Sequence, residues 1–91
     1  MIYLNNVLMI DDDLRLCDVI KKAMVAEDVA LDFCESGLEG ISKLKSGNYQ
    51  AAVLDVMLPG MDGFETLRQI REFSNIPILM LTARTDFTGI F

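Results

Sequence analysis

The chain has 91 residues, 52% hydrophobic and 24% charged, with a formal net charge of −6. That is the composition of one small globular domain, near the lower size limit for a robust core. The negative balance argues against binding to a nucleic-acid phosphate backbone, no apolar run approaches the ~18–20 residues needed to span a bilayer, and Met1 to Asn6 lacks the basic start and long apolar stretch of a signal peptide.

The first predicted strand is Val7 to Asp11, an apolar run ending in three aspartates, Asp11, Asp12 and Asp13. Asp13 can cap a helix running to about Ala26, in which Leu16, Val19, Ile20, Ala23 and Met24 recur at helical spacing and are expected to face the core. Ala30 to Cys34 reads as a short second strand. Ser36-Gly37 opens a second helix carrying Leu38, Ile41 and Leu44, with Glu39 placed as capping-box partner of Ser36. Ser46-Gly47-Asn48 stops it. Ala51 to Asp55 is a third strand, again apolar and again ending in an aspartate. Pro59-Gly60 marks a loop, and Asp62 caps a third helix with Phe64, Leu67, Ile70 and Phe73 expected inward. Asn75 and Pro77 close it, because proline disfavours helix at the residue before it. Ile78 to Thr82 is the fourth strand. This βαβαβαβ order, with apolar strands and short connections, predicts an α/β fold: a parallel sheet covered by helices on both faces.

In such a sheet the carboxyl ends of the strands line the ligand crevice. If the first and third strands are neighbours, Asp11, Asp12 and Asp55 converge there. Carboxylates at close range repel, and the repulsion grows as the site dries, so the cluster asks for a hard divalent cation with oxygen ligands. An isolated strand-end aspartate can be only a cap or turn former, but beside that cluster a metal-assisted site is the stronger reading of Asp55. A carboxylate is a workable nucleophile for phosphoryl transfer, and bound Mg²⁺ would neutralise charge on the transferring oxygens. Thr82 ends the fourth strand on the same rim, either as an incidental turn residue or as a donor to a phosphoryl oxygen. Asp13 reads as a cap, and Met9, Met57, Met61 and Met80 read as packing. Histidine is absent, which removes histidine-based acid–base and metal-ligand roles. Cys17 and Cys34 stand in no metal-like spacing and read as partly buried thiols in a reducing cytoplasm.

Three segments, Val7-Leu8-Met9-Ile10-Asp11-Asp12-Asp13, Leu54-Asp55-Val56-Met57-Leu58-Pro59-Gly60-Met61-Asp62-Gly63-Phe64 and Pro77-Ile78-Leu79-Met80-Leu81-Thr82-Ala83-Arg84, together resemble the receiver domain of bacterial two-component response regulators. The resemblance runs from about residue 5 to 86. The Leu58 to Gly63 stretch is most similar to the group whose receivers precede a winged-helix DNA-binding domain. The resemblance implies a flavodoxin-like three-layer fold, here with about four strands ordered 2-1-3-4 and three helices. It implies that Asp55 accepts a phosphoryl group from a sensor histidine kinase. It further implies that Asp12 and Asp55 bind Mg²⁺ directly, that Met57 offers its backbone carbonyl, and that Asp11 acts largely through water. Thr82 would be the switch hydroxyl, and Pro59 and Gly60 would shape the loop. Such a domain is a cytoplasmic phosphorylation switch, not a turnover enzyme.

The family pattern continues through a fourth helix, a fifth strand and a fifth helix, and this sequence is not expected to follow it past about Asp86. The expectation is therefore a C-terminally truncated receiver over residues 1–86 and a tail, 87–91, without family signal. No lysine follows Lys45, so the basic partner of the phosphoryl group is expected to be missing and transfer to be slow. The fourth strand is expected to be an open edge that pairs with a second copy of the chain. The chain itself is expected to bind neither nucleic acid nor membrane. Two other functions fit the residues: a structural receiver fragment that self-associates without phosphotransfer, and an aspartate-nucleophile, Mg²⁺-dependent phosphohydrolase. The latter class usually carries a second aspartate two residues after the nucleophile, where this chain has Met57.

Overall fold

The computed structural model describes residues 5–81 and 87–90. The elements in chain order are β1 (Asn5–Ile10), α1 (Leu14–Val25), β2 (Val29–Cys34), α2 (Gly37–Ser46), β3 (Ala51–Asp55), α3 (Gly63–Ile70), β4 (Ile78–Leu81) and β5 (Phe87–Ile90). The sheet order is β2-β1-β3-β4-β5. The first four strands are parallel, as the repeated strand–helix alternation predicts. Among the described residues there are three helices, and none is long and apolar enough to cross a membrane.

Alternation along the strands divides the core. Leu8, Ile10, Ala52, Leu54, Ile78 and Met80 point to one face and pack with Ile41 of α2 and Ile70 of α3. Met9 and Leu31 point to the other and pack with Cys17 of α1. Both faces therefore carry helices, two on one side and one on the other.

Three expectations are corrected. The first concerns the sheet edge. β4 is not an open edge: Phe87–Ile90 returns as an antiparallel strand, with Met80 opposite Gly89 and a register shift between Met80 and Leu81. The backbone groups expected to recruit a second copy are paired within the chain, so the expected self-association through β4 loses its physical basis.

The second correction concerns which helix faces are buried. Leu16 and Val19 are exposed, and the stripe that meets the sheet is Cys17, Ile20 and Met24. Leu38, Phe64 and Phe73 are likewise exposed. In α3 the fully buried residues are Thr66 and Ile70. Thr66 stays satisfied because its hydroxyl donates to Asp62 O at 2.8 Å.

The third correction concerns the end of α3. It stops at Ile70, and Arg71–Phe73 form turns before the extended approach to Pro77, so the helix ends sooner than the proline alone implied.

Candidate functional site

The site is built by register. β1 and β3 are parallel neighbours with Ile10 opposite Leu54, so the next residues, Asp11 and Asp55, leave the same end of the sheet side by side. Asp11, Asp12 and Asp55 can each present a carboxylate oxygen such that all three atoms lie within 4.8 Å of one another. Asp11 and Asp55 are buried and Asp12 is exposed.

Local hydrogen bonds hold this arrangement. Asp11 N donates to Cys34 O at 3.0 Å, anchoring the β1–α1 turn to β2. Asp13 N donates to Asp11 Oδ1 at 2.9 Å, and Asp13 Oδ1 in turn accepts from Leu16 N at 3.1 Å. Asp13 is therefore a helix cap that also orients its neighbour, as the sequence predicts for the cap. Asp55 Oδ1 accepts from Met57 N at 3.1 Å, and Val56 N donates to Leu81 O at 2.8 Å.

The loop after Asp55 turns through Gly60, whose φ of 77° is a backbone conformation that side chains disfavour. It then closes back, with Gly63 N donating to Val56 O at 2.9 Å. A Cβ at Gly63 would collide with the Asp55 carbonyl and Val56 Cα, so only glycine lets α3 start this close to the end of β3.

Electrostatics follow from the crowding. Burial raises the Asp11 carboxyl above the usual aspartate range; the Asp13 N–H opposes this, and the charges of Asp55, Asp12 and Asp13 reinforce it. The Asp11 carboxylate is thus disfavoured by its surroundings, and a bound cation would relieve that. The donor chemistry fits Mg²⁺: hard carboxylate oxygens, few in number, with one member exposed so that bound water can remain. A soft metal is a poor match, since all three donors are carboxylates and no sulfur belongs to the cluster.

Sequence reasoning placed Asp11, Asp12 and Asp55 together, and the geometry brings them together. Thr82 lies outside the described residues. Two contributors were missed: the Met57 N–H on the Asp55 carboxylate, and Gly63. The Asp55-to-Gly63 motif contained both, but a backbone donor and a steric vacancy leave no side-chain signature.

Comparisons with known proteins point one way. The sequence profile of the family described as "Response regulator receiver domain" matches residues 7–89. The transcriptional regulatory protein CpxR homolog of Haemophilus influenzae is 38% identical over 83 residues, covering 91% of this chain and 36% of the relative. The transcriptional regulatory protein ResD of Bacillus subtilis is 42% identical over 80 residues, covering 88% of this chain and 33% of the relative. The chain thus spans about a third of the length of these relatives. Among solved structures, response regulator TrrA of Thermotoga maritima in complex with Mg²⁺-BeF superposes with a TM-score of 0.81 at 32% identity, over 88% of this chain and 70% of that one. A complex of histidine kinase ThkA with TrrA matches with a TM-score of 0.84 at 30% identity, over 94% of this chain and 75% of that one.

Proposed function

Since the chain belongs to the response regulator receiver domain family, we propose that its working residue is Asp55, accepting a phosphoryl group from the phosphohistidine of a sensor histidine kinase. The observation that carries this reading is the convergence of the Asp11, Asp12 and Asp55 carboxylate oxygens within 4.8 Å at the end of β1 and β3. A carboxylate oxygen of Asp55 attacks phosphorus while the phosphorus–nitrogen bond of the donor breaks. The imidazole leaves with its electron pair and takes up a proton, and an acyl phosphate remains on Asp55.

Asp11, Asp12, Asp55 and the Met57 carbonyl are assigned to hold Mg²⁺, which when bound offsets negative charge on the transferring oxygens. The Met57 N–H keeps the Asp55 carboxylate oriented, and the buried side of the site limits water around the acyl phosphate. Thr82 is assigned the switch hydroxyl. The solved Mg²⁺-BeF complex and kinase complex of TrrA support the cation and the donor class by likeness. The chain is thus read as a phosphorylation-controlled signalling module acting in the cytoplasm.

The direct check is incubation with acetyl phosphate and Mg²⁺ followed by intact mass measurement. One added phosphoryl group, absent in Asp55→Asn and with Mg²⁺ chelated, is the expected outcome. An unmodified mass after prolonged incubation would leave the chain a structural fragment. Steady phosphate release from many phosphoesters would point to a hydrolase.

A further inference from the structure

Beside the acidic cluster lies a cleft of about 540 Å³ whose walls include Val56, Met57, Pro59 and Phe64 and whose rim carries Asp12 and Asp62. Two of these walls are large apolar side chains left in water, Met57 at 66% exposed and Phe64 at 51%. Scattered apolar residues are ordinary on a surface, but a concave group of them against a reactive carboxylate has the make-up of a recognition site.

The cleft is tied to the reactive strand end. Met57 N donates to Asp55 Oδ1, and Gly63 N donates to Val56 O, so both walls are fixed to the backbone that carries Asp55. The charge here has one sign, since Asp12 and Asp62 line the cleft and Asp11 and Asp55 cluster with Asp12, four carboxylates against the two charges of one bound Mg²⁺, on a chain of net charge −6. An occupant complementary to this surface presents an apolar side chain next to a basic one. A small phosphodonor has neither. A protein donor needs such a foothold, because its phosphohistidine must be held in line with the Asp55 oxygen for productive transfer.

Resting on the receiver reading above, we propose that this cleft seats an apolar side chain of the phosphodonor protein, flanked there by lysine or arginine, and that Phe64 is a specificity determinant for protein donors over small ones. Seating one apolar side chain in a pocket of this kind changes affinity by about tenfold or more.

The test uses two donors on the full chain, with transfer read by intact mass. One is acetyl phosphate. The other is a phosphorylated histidine kinase that labels the wild-type chain, picked from a panel by that property. Phe64→Ser is expected to slow transfer from the kinase by about tenfold at subsaturating concentration while leaving transfer from acetyl phosphate within about twofold. Phe64→Leu, which keeps an apolar wall, is expected to retain both. Equal loss with both donors, no loss with either, or a wild-type chain labelled by acetyl phosphate and by no kinase overturns the proposal. A wild-type chain labelled by neither donor overturns the receiver reading instead.

Discussion

Asp11, Asp12 and Asp55 are held close by backbone register, and their charges oppose that closeness. A pair of unit charges about 4 Å apart repels by about 4 kcal/mol at an effective dielectric of ~20, and by less where one member is exposed, as Asp12 is. A divalent cation that binds the folded cluster and not the unfolded chain stabilises the fold by mass action. Millimolar Mg²⁺ is therefore expected to raise the melting temperature. Asp12→Ala should abolish most of that rise, and in chelator it should melt no lower than wild type, because a repelling charge is gone. Differential scanning fluorimetry with and without Mg²⁺ reads both arms.

The two thiols behave oppositely to a reactive pair. Burial pushes Cys17 and Cys34 from an ordinary 9.0 up to about 11, with Asp11 adding to the first and Glu39 to the second. A folded pKa above the unfolded one means the neutral thiol belongs to the folded state. That stabilisation is present below pH 9 and is lost as pH rises toward 11. Ellman's reagent at pH 8 should label neither thiol in the folded chain and both in urea, while urea midpoints should fall between pH 9 and 11 in wild type and less so in Cys17→Ala.

At the scale of elements, helix starts were legible and helix faces only in part: Ile20, Met24, Ile41, Leu44, Leu67 and Ile70 meet the core as the spacing predicts, while Leu16, Val19, Leu38, Phe64 and Phe73 do not. Asp13, Ser36 and Asp62 were read as caps, and each accepts from a backbone N–H three residues on. A cap is a local event between near neighbours in the chain, so a sequence displays it. Which apolar stripe turns inward is not local. α1 carries two, Leu16-Val19-Ala23 and Cys17-Ile20-Met24, offset by one residue. The Asp13 cap and the short turn from Asp11 fix the rotation that buries the second.

The contact between α2 and α3 was equally hidden, since it depends on a missing atom. A Cβ at Gly37 would overlap the Thr66 hydroxyl, which is itself fully buried. Gly37→Ala should therefore destabilise by about 1–3 kcal/mol despite alanine's better helix propensity. Thr66→Ala added to it should recover part of the loss, giving a double-mutant coupling of about 1 kcal/mol or more in urea titrations. Additive losses would mean the two helices do not meet through this pair.

For the molecule as a whole, a parallel sheet was legible because each strand was apolar throughout and each connection short, whereas the order β2-β1-β3-β4 followed only from the resemblance to receiver domains. β5 was not. Phe87–Ile90 is four residues with a glycine at its centre, too short and mixed for a strand signal of its own. Its placement comes from the free backbone groups of β4, a tertiary demand that no local pattern in Phe87–Ile90 reports. The same demand decides how the chain behaves in solution. With β5 in place, Leu79 and Met80 have backbone partners on both sides of β4, from Val53 and Leu54 of β3 and from Ile90 and Gly89 of β5. Without β5, an apolar strand with no lysine or proline within Ile78–Leu81 would stand open, a ready template for another chain. A chain shortened to end at Asp86 is thus expected to sediment as dimers or larger species at concentrations where the 91-residue chain is less associated. Equal association of the two at matched concentration would show that β5 does not guard this edge. The contrast also separates edge pairing from association through exposed apolar side chains such as Val19 and Leu38, which both chains share.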